Sequence, residues 1–119
     1  MGVGLTVACP CFGQFTMQVG RGMAGPRPCL FPFLCTACEK VSEMDVYANP
    51  LTCRHCGGSA VVPYGRPPAL GEPGAAVVFA CPPHDAFSAA DLTLTDGTYW
   101  CPTCRQYTAR FSDSGMLWD

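Results

Sequence analysis

The 119 residues predict a small, mostly β fold held together by metal. Three observations carry this expectation. Ten residues are cysteine, and most fall in close pairs at metal-ligand spacing. The apolar runs are short and strand-like, with no long amphipathic helix among them. Thirteen glycines and twelve prolines punctuate the chain too often for long regular elements.

Composition removes other classes. A chain that is 49% hydrophobic with a net charge of −2 lies far from disordered sequences. Seven Lys and Arg against nine Asp and Glu do not make a basic nucleic-acid module. Doubly wound sheets and barrels need more residues and long periodic helices. Met1 to Gly20 carries no charged side chain, but its glycines, Pro10, Gln14 and Gln18 fit neither a spanning helix nor a signal peptide. The expected location is therefore cytoplasmic, where thiols stay reduced and cysteine pairs favour metal over disulfides.

The elements follow in order. Leu5–Ala8 and Gln14–Val19 bracket Cys9-Pro-Cys11 and read as a hairpin. Leu30–Leu34, Ala60–Val62, Ala75–Ala80 and Thr98–Trp100 are short apolar strands beside cysteine turns. In Gln106–Phe111, Tyr107, Ala109 and Phe111 alternate as in a half-buried strand. Helix signals are poor: Ser42–Tyr47 and Asp85–Leu92 each suit a turn or two, with Asp85 as an N-cap for the second. Residues 63–74 have a linker's composition, with Pro63, Pro67, Pro68 and Pro73. The expected organisation is an N-terminal hairpin plus first ribbon over 1–62, a linker over 63–74, and a second ribbon with its tail over 75–119.

Two ligand sets follow from the spacing. Cys35-Thr-Ala-Cys38 and Cys53-Arg-His-Cys56 give C-x2-C-x14-C-x2-C. A two-residue spacer lets a tight turn aim two sulfurs at one ion, and two such turns complete a tetrahedron. Cys81-Pro-Pro-His84 and Cys101-Pro-Thr-Cys104 give C-x2-H-x16-C-x2-C, a set of three cysteines and one histidine. A lone histidine is more often a surface residue, but His84 stands where such a turn carries a cysteine. His55 lies inside a turn that already has four sulfurs and is read as exposed. Two Zn2+ per chain are expected, each contributing roughly 10–16 kcal/mol to folding. Two halves of about 40 residues cannot each bury a sufficient core without such help.

Cys9, Cys11 and Cys29 are left over: Cys-x-Cys is too short for the usual knuckle but can bridge or cap a metal, and the plainer reading of all three is small buried apolar groups. A rival partition pairs Cys9/Cys11 with Cys35/Cys38 and Cys53/Cys56 with Cys101/Cys104. It needs excursions of 23 and 44 residues, against 14 and 16 for the preferred one.

Weaker motifs do not survive their context. Gly20-Arg-Gly-Met-Ala-Gly25 matches a dinucleotide fingerprint, but Pro26 and Pro28 stop any helix from opening there, so it reads as a loop. Lys40, Arg54 and Arg105 lie near expected ligands and read as cations offsetting thiolate charge. No nucleophile, base and orienting group occur in a defensible set, and a closed four-ligand zinc leaves no open position for catalysis.

With these clusters in view, the chain resembles small bacterial zinc-ribbon proteins of unassigned role. The resembling features are the start Met1-Gly-Val-Gly4, the ribbon Cys35 to Gly58, and Tyr99-Trp-Cys-Pro-Thr-Cys104 with the Trp-Asp tail. The chain departs from that pattern in carrying Cys9-Pro-Cys11 where such proteins open with C-x2-C. The resemblance implies zinc binding and a ribbon fold, and brings no substrate. The function expected is a non-enzymatic zinc ribbon acting as a protein-interaction adaptor, with a nucleic-acid-binding ribbon or a four-cysteine iron or redox protein as alternatives. The docking face is expected at Leu30–Leu34 and Phe111–Asp119, where apolar residues outnumber the charge available to solvate them.

Overall fold

The computed structural model describes residues 2–11, 13–21, 29–48, 51–81, 83 and 87–118; of 2, 3, 15, 21 and 113–118 it describes the backbone alone. Among the described residues nine strands follow one another: β1 (Gly2–Cys9), β2 (Gly13–Arg21), β3 (Cys29–Cys35), β4 (Lys40–Asp45), β5 (Val61–Pro63), β6 (Val77–Ala80), β7 (Thr93–Thr95), β8 (Tyr99–Cys101) and β9 (Gln106–Trp118). Seven form one curled antiparallel sheet in the order β4-β3-β2-β1-β9-β8, with β5 added to β3. β6 and β7 pair as a second, two-stranded sheet.

Side-chain alternation sets the faces. In β1, Leu5, Val7 and Cys9 are buried while Thr6 and Ala8 are half-buried; in β2, Met17 and Val19 are buried while Thr16 and Gln18 are exposed. That is the period-two pattern of a sheet with one covered face. The hairpin register places Leu5 opposite Met17, and Val7 faces Phe111 across to β9. The N-terminal hairpin read from the sequence is present.

β3 differs. Its sequence CLFPFLC is buried at every position but Leu30. Phe31 and Phe33 are fully buried, and β4 pairs along the strand while β5 covers its end. Leu30–Leu34 is thus core strand, with side chains buried on both faces at every position but Leu30. Phe111, 3% exposed, is also core: it packs edge-on against Tyr99 at 4.9 Å and Tyr64 at 5.4 Å. The tail beyond it continues β9 along β1, with Trp118 opposite Gly2 and Leu117 opposite Val3. The side chains of Met116, Leu117 and Trp118, and the whole of Asp119, lie outside what is described.

Ser42–Tyr47, read from sequence as a turn or two of helix, is mostly strand β4. Ser42, Met44 and Val46 are buried and their neighbours half-exposed, so a two-residue period governs there. Between Ser88 and Leu92 there is a turn: Ser88 N–H donates to Asp91 Oδ2 at 3.0 Å, and Leu92 N–H to the Ala89 carbonyl at 3.2 Å. Arg66 holds Asp91 through Nε and Nη2, at 3.1 and 2.8 Å. That pair holds the Asp91 carboxyl below the usual carboxylate range. Asp85 and the Gly22–Gly25 stretch of the glycine motif lie outside the described residues.

The sheet runs across the residues expected to separate the N- and C-terminal halves. β9 pairs with β1, and segment 63–74 contributes Tyr64 and Ala69 to the core at 1% and 0% exposure. The Tyr64 hydroxyl donates to the Trp100 carbonyl at 2.9 Å. A disulfide joins Cys29 at the start of β3 to Cys81 after β6, both buried. The accessible surface of 6219 Å² is that of one compact chain of this size, about 6,200 Å² by scaling.

Candidate metal centres

Strand order explains where the sulfurs meet. β1 and β9 are antiparallel, so the end of β1 lies beside the start of β9. β2 and β8 flank them on either side. The β1–β2 turn and the β8–β9 turn therefore stand at the same end of the sheet, and each carries two cysteines. Cys9, Cys11, Cys101 and Cys104 come together there. The second set, Cys35, Cys38, Cys53 and Cys56, joins the β3–β4 turn to the loop before β5.

In each set the four Sγ atoms lie within 4.8 Å of one another. Cys9 Sγ is 3.4 Å from Cys11 and 3.3 Å from Cys104, and Cys11 is 3.5 Å from Cys101. Cys35 is 3.7 Å from Cys56, and Cys38 is 3.5 Å from Cys53. A tetrahedral ion with metal–sulfur bonds of about 2.3 Å needs sulfurs about 3.8 Å apart. Four sulfurs converging at this spacing fit such an ion, and each four-cysteine group could hold one.

The backbone is shaped for it. Glu39 N–H donates to the Cys35 carbonyl, Gly57 N–H to Cys53 and Arg105 N–H to Cys101, at 2.8, 2.8 and 2.7 Å. Each donor follows the second cysteine of its turn, and each is left-handed, with φ of 56°, 75° and 58°. Glycine takes this conformation freely, while Glu39 and Arg105 hold it at a cost of about 1–2 kcal/mol. Gly13, at φ 81°, closes the Cys9–Cys11 turn in the same sense. N–H groups also reach sulfur: His55 to Cys53 Sγ at 3.3 Å and Cys104 to Cys101 Sγ at 3.4 Å.

One thiol in each set is predisposed to ionise. Burial pushes Cys9 up, but hydrogen bonds from the Cys11 backbone, the Thr108 hydroxyl and neighbouring thiols outweigh it and bring it to about 6. The Cys56 backbone N–H, opposed by desolvation and aided by His55 N–H, brings Cys53 to about 6. Cys11, Cys38, Cys56 and Cys101 bear the opposite shift. Desolvation and the neighbouring thiols raise Cys38 to about 12, the Cys104 hydrogen bond with desolvation raises Cys11, and desolvation raises Cys101.

The expected site residues are placed as follows. Cys35, Cys38, Cys53 and Cys56 assemble as read from sequence. Cys101 and Cys104 assemble too, but with Cys9 and Cys11 in place of Cys81 and His84. Cys81 is bonded to Cys29, and His84 lies outside the described residues. The rival partition is not formed either. Sequence reasoning missed the pairing because it weighed chain closure over strand adjacency. Lengthening a closure from about 16 to about 90 residues costs only about 1.5 kcal/mol, which a metal site's 10–16 kcal/mol far exceeds. The readable signal was Cys9-Pro-Cys11 at the tip of a hairpin. His55 is exposed and outside the four sulfurs. Arg54 and Arg105 pair with carboxylates, Glu43 at 3.6 Å and Glu39 at 3.0 Å, and not with sulfur.

No family model, curated protein or solved structure matches the chain. What the sequence and the fold establish together is a small all-β protein with two four-cysteine groups suited to metal, and no family is identified for it.

Proposed function

We propose that the protein is a non-enzymatic zinc-binding adaptor that docks on a protein partner. The closure of both four-cysteine groups carries this reading. Four sulfurs converge in each, and an ion with four thiolate ligands has the closed tetrahedral set of structural zinc, not the open position of a catalytic one. A single hydrophobic core already binds the strands, so the role of the metals is to fix the turns. Those turns carry the surface that a partner would meet.

Purified protein tests the metal reading. Elemental analysis should return two zinc ions per chain and a colourless solution. One zinc or fewer, or a coloured iron-containing protein, would overturn it. Capture from its host with metal-loaded protein should then recover a protein partner, and loss of that partner after chelation would tie docking to the turns. A cytoplasmic location, the expectation from the sequence, would keep Cys29 and Cys81 as thiols, whereas the structure joins them, so the redox state of this pair in protein drawn from cells decides the compartment.

A further inference from the structure

A cleft of about 220 Å³ lies between the two metal-binding turns. Its walls are Leu34, Cys35 and Glu39 from one side and Pro68, Trp100 and Tyr107 from the other. Ligand pockets for drug-sized molecules run to roughly 300–1,000 Å³, so this one is sized for a single large side chain. Trp100 and Tyr107 meet edge-on, with ring centroids 5.2 Å apart, and the Tyr107 hydroxyl is fixed by donating to the Pro68 carbonyl at 2.9 Å. Tyr107 is one of only two large hydrophobic side chains that stand exposed among the described residues, at 43%.

The cleft has one charged group on its wall, a carboxylate that is half used. Its charged wall residue is Glu39, and no basic side chain lines it among the described residues. Arg105 Nη1 takes Glu39 Oε2 at 3.0 Å, and no other described donor reaches this carboxylate, so Oε1 remains for a second cation. On the adaptor reading, a zinc tetrathiolate at Cys35 would add negative charge beside it.

We propose that this cleft receives an arginine side chain of a partner polypeptide. The inference rests on the adaptor reading and deepens it by naming the partner's chemistry. A guanidinium is planar and weakly hydrated, so it stacks on aromatic faces, and its fork matches a carboxylate. Lysine offers a point charge without the flat face, an acidic side chain is repelled by Glu39, and an apolar one fits the walls but leaves Glu39 Oε1 without a partner.

The test uses metal-loaded full-length protein, isotopically labelled for NMR, titrated with acetyl-Ala-Arg-Ala-amide and with the same peptide carrying Lys, Glu or Leu at its centre. Metal content is measured on the same samples. The arginine peptide should give saturable shifts confined to Glu39, Trp100 and Tyr107, and the other three should bind several-fold more weakly. Glu39→Gln, at a half-buried position, and Tyr107→Ala, at an exposed one, should each weaken binding about fivefold. Arg105→Ala should strengthen it by freeing Oε2. No saturable shift, equal binding of any other peptide, or binding unchanged in both weakening variants overturns the proposal. Failure with two zinc ions present leaves the metal reading intact. Arginine binding by protein that holds no zinc sinks the metal reading and keeps the cleft.

Discussion

Glu39 and Arg105 lie 66 positions apart in sequence, and their side chains meet at 3.0 Å. They are the two non-glycine residues with positive φ among those described, and each follows the last cysteine of a two-cysteine turn, one in each four-cysteine group. The ion pair therefore ties the two centres together through the residues that bear the turns' backbone strain. It is exposed, at 68% and 37% of the side chains, so its own contribution is small, up to about 1 kcal/mol.

Replacing Arg105 by glycine separates strain from pairing. Arg105→Gly removes the ion pair and relieves the left-handed conformation, so stability should change by less than about 1 kcal/mol. Arg105→Val removes the pair and leaves a β-branched residue at φ 58°, and should cost about 1–2 kcal/mol more than glycine there. Denaturant midpoints of the metal-loaded variants check both. Equal stability of the two would show that the strain is absent.

Cysteine variants distinguish the ligand set of the fold from the set read along the chain. Cys11→Ser should drop the metal content from two ions to one, because Cys11 shares a centre with Cys9, Cys101 and Cys104. Cys81→Ser should keep both. Elemental analysis decides, and loss of an ion from Cys81→Ser alone would restore the expected Cys81–His84 site.

The Cys29–Cys81 bond closes a separation of 52 residues. Removing such a cross-link costs about 4 kcal/mol by loop-closure entropy. Cys29→Ser should therefore lower the denaturant midpoint of oxidised protein without releasing metal. Thiol titration of denatured, chelated protein should find eight of the ten cysteines free. Ten free thiols in protein drawn from cells would place it in a reducing compartment.

Metal uptake should release protons. At neutral pH the metal-free Cys53, near 6, is already a thiolate, while Cys38, near 12, and Cys56, also raised, are protonated. Binding requires all as thiolates, so an ion entering this centre displaces at least two protons. Affinity then rises with pH, and acid expels the metal. An indicator titration at pH 7 counts the protons, and uptake with none released would exclude thiolate coordination.

The sequence by itself determined the features whose chemistry is local. Cys35-Thr-Ala-Cys38 and Cys53-Arg-His-Cys56 specify a four-cysteine centre because each turn aims its own sulfurs, whatever lies elsewhere. The hairpin around Cys9-Pro-Cys11 and the β-class of the fold follow from period-two burial in Leu5–Val7 and Met17–Val19, which is equally local. The helical reading of Ser42–Tyr47 failed because six residues are too few to separate the two periods until Phe31 and Phe33 cover one face. Tertiary structure alone decided which turn completes the centre at Cys101 and Cys104. Both Cys9 and Cys81 were in reach by chain length, since closure entropy grows only with the logarithm of the loop. The choice came from β9 lying against β1, with Val7 opposite Phe111. That register brings two hairpin tips together, and it leaves Cys81 beside Cys29 in the core.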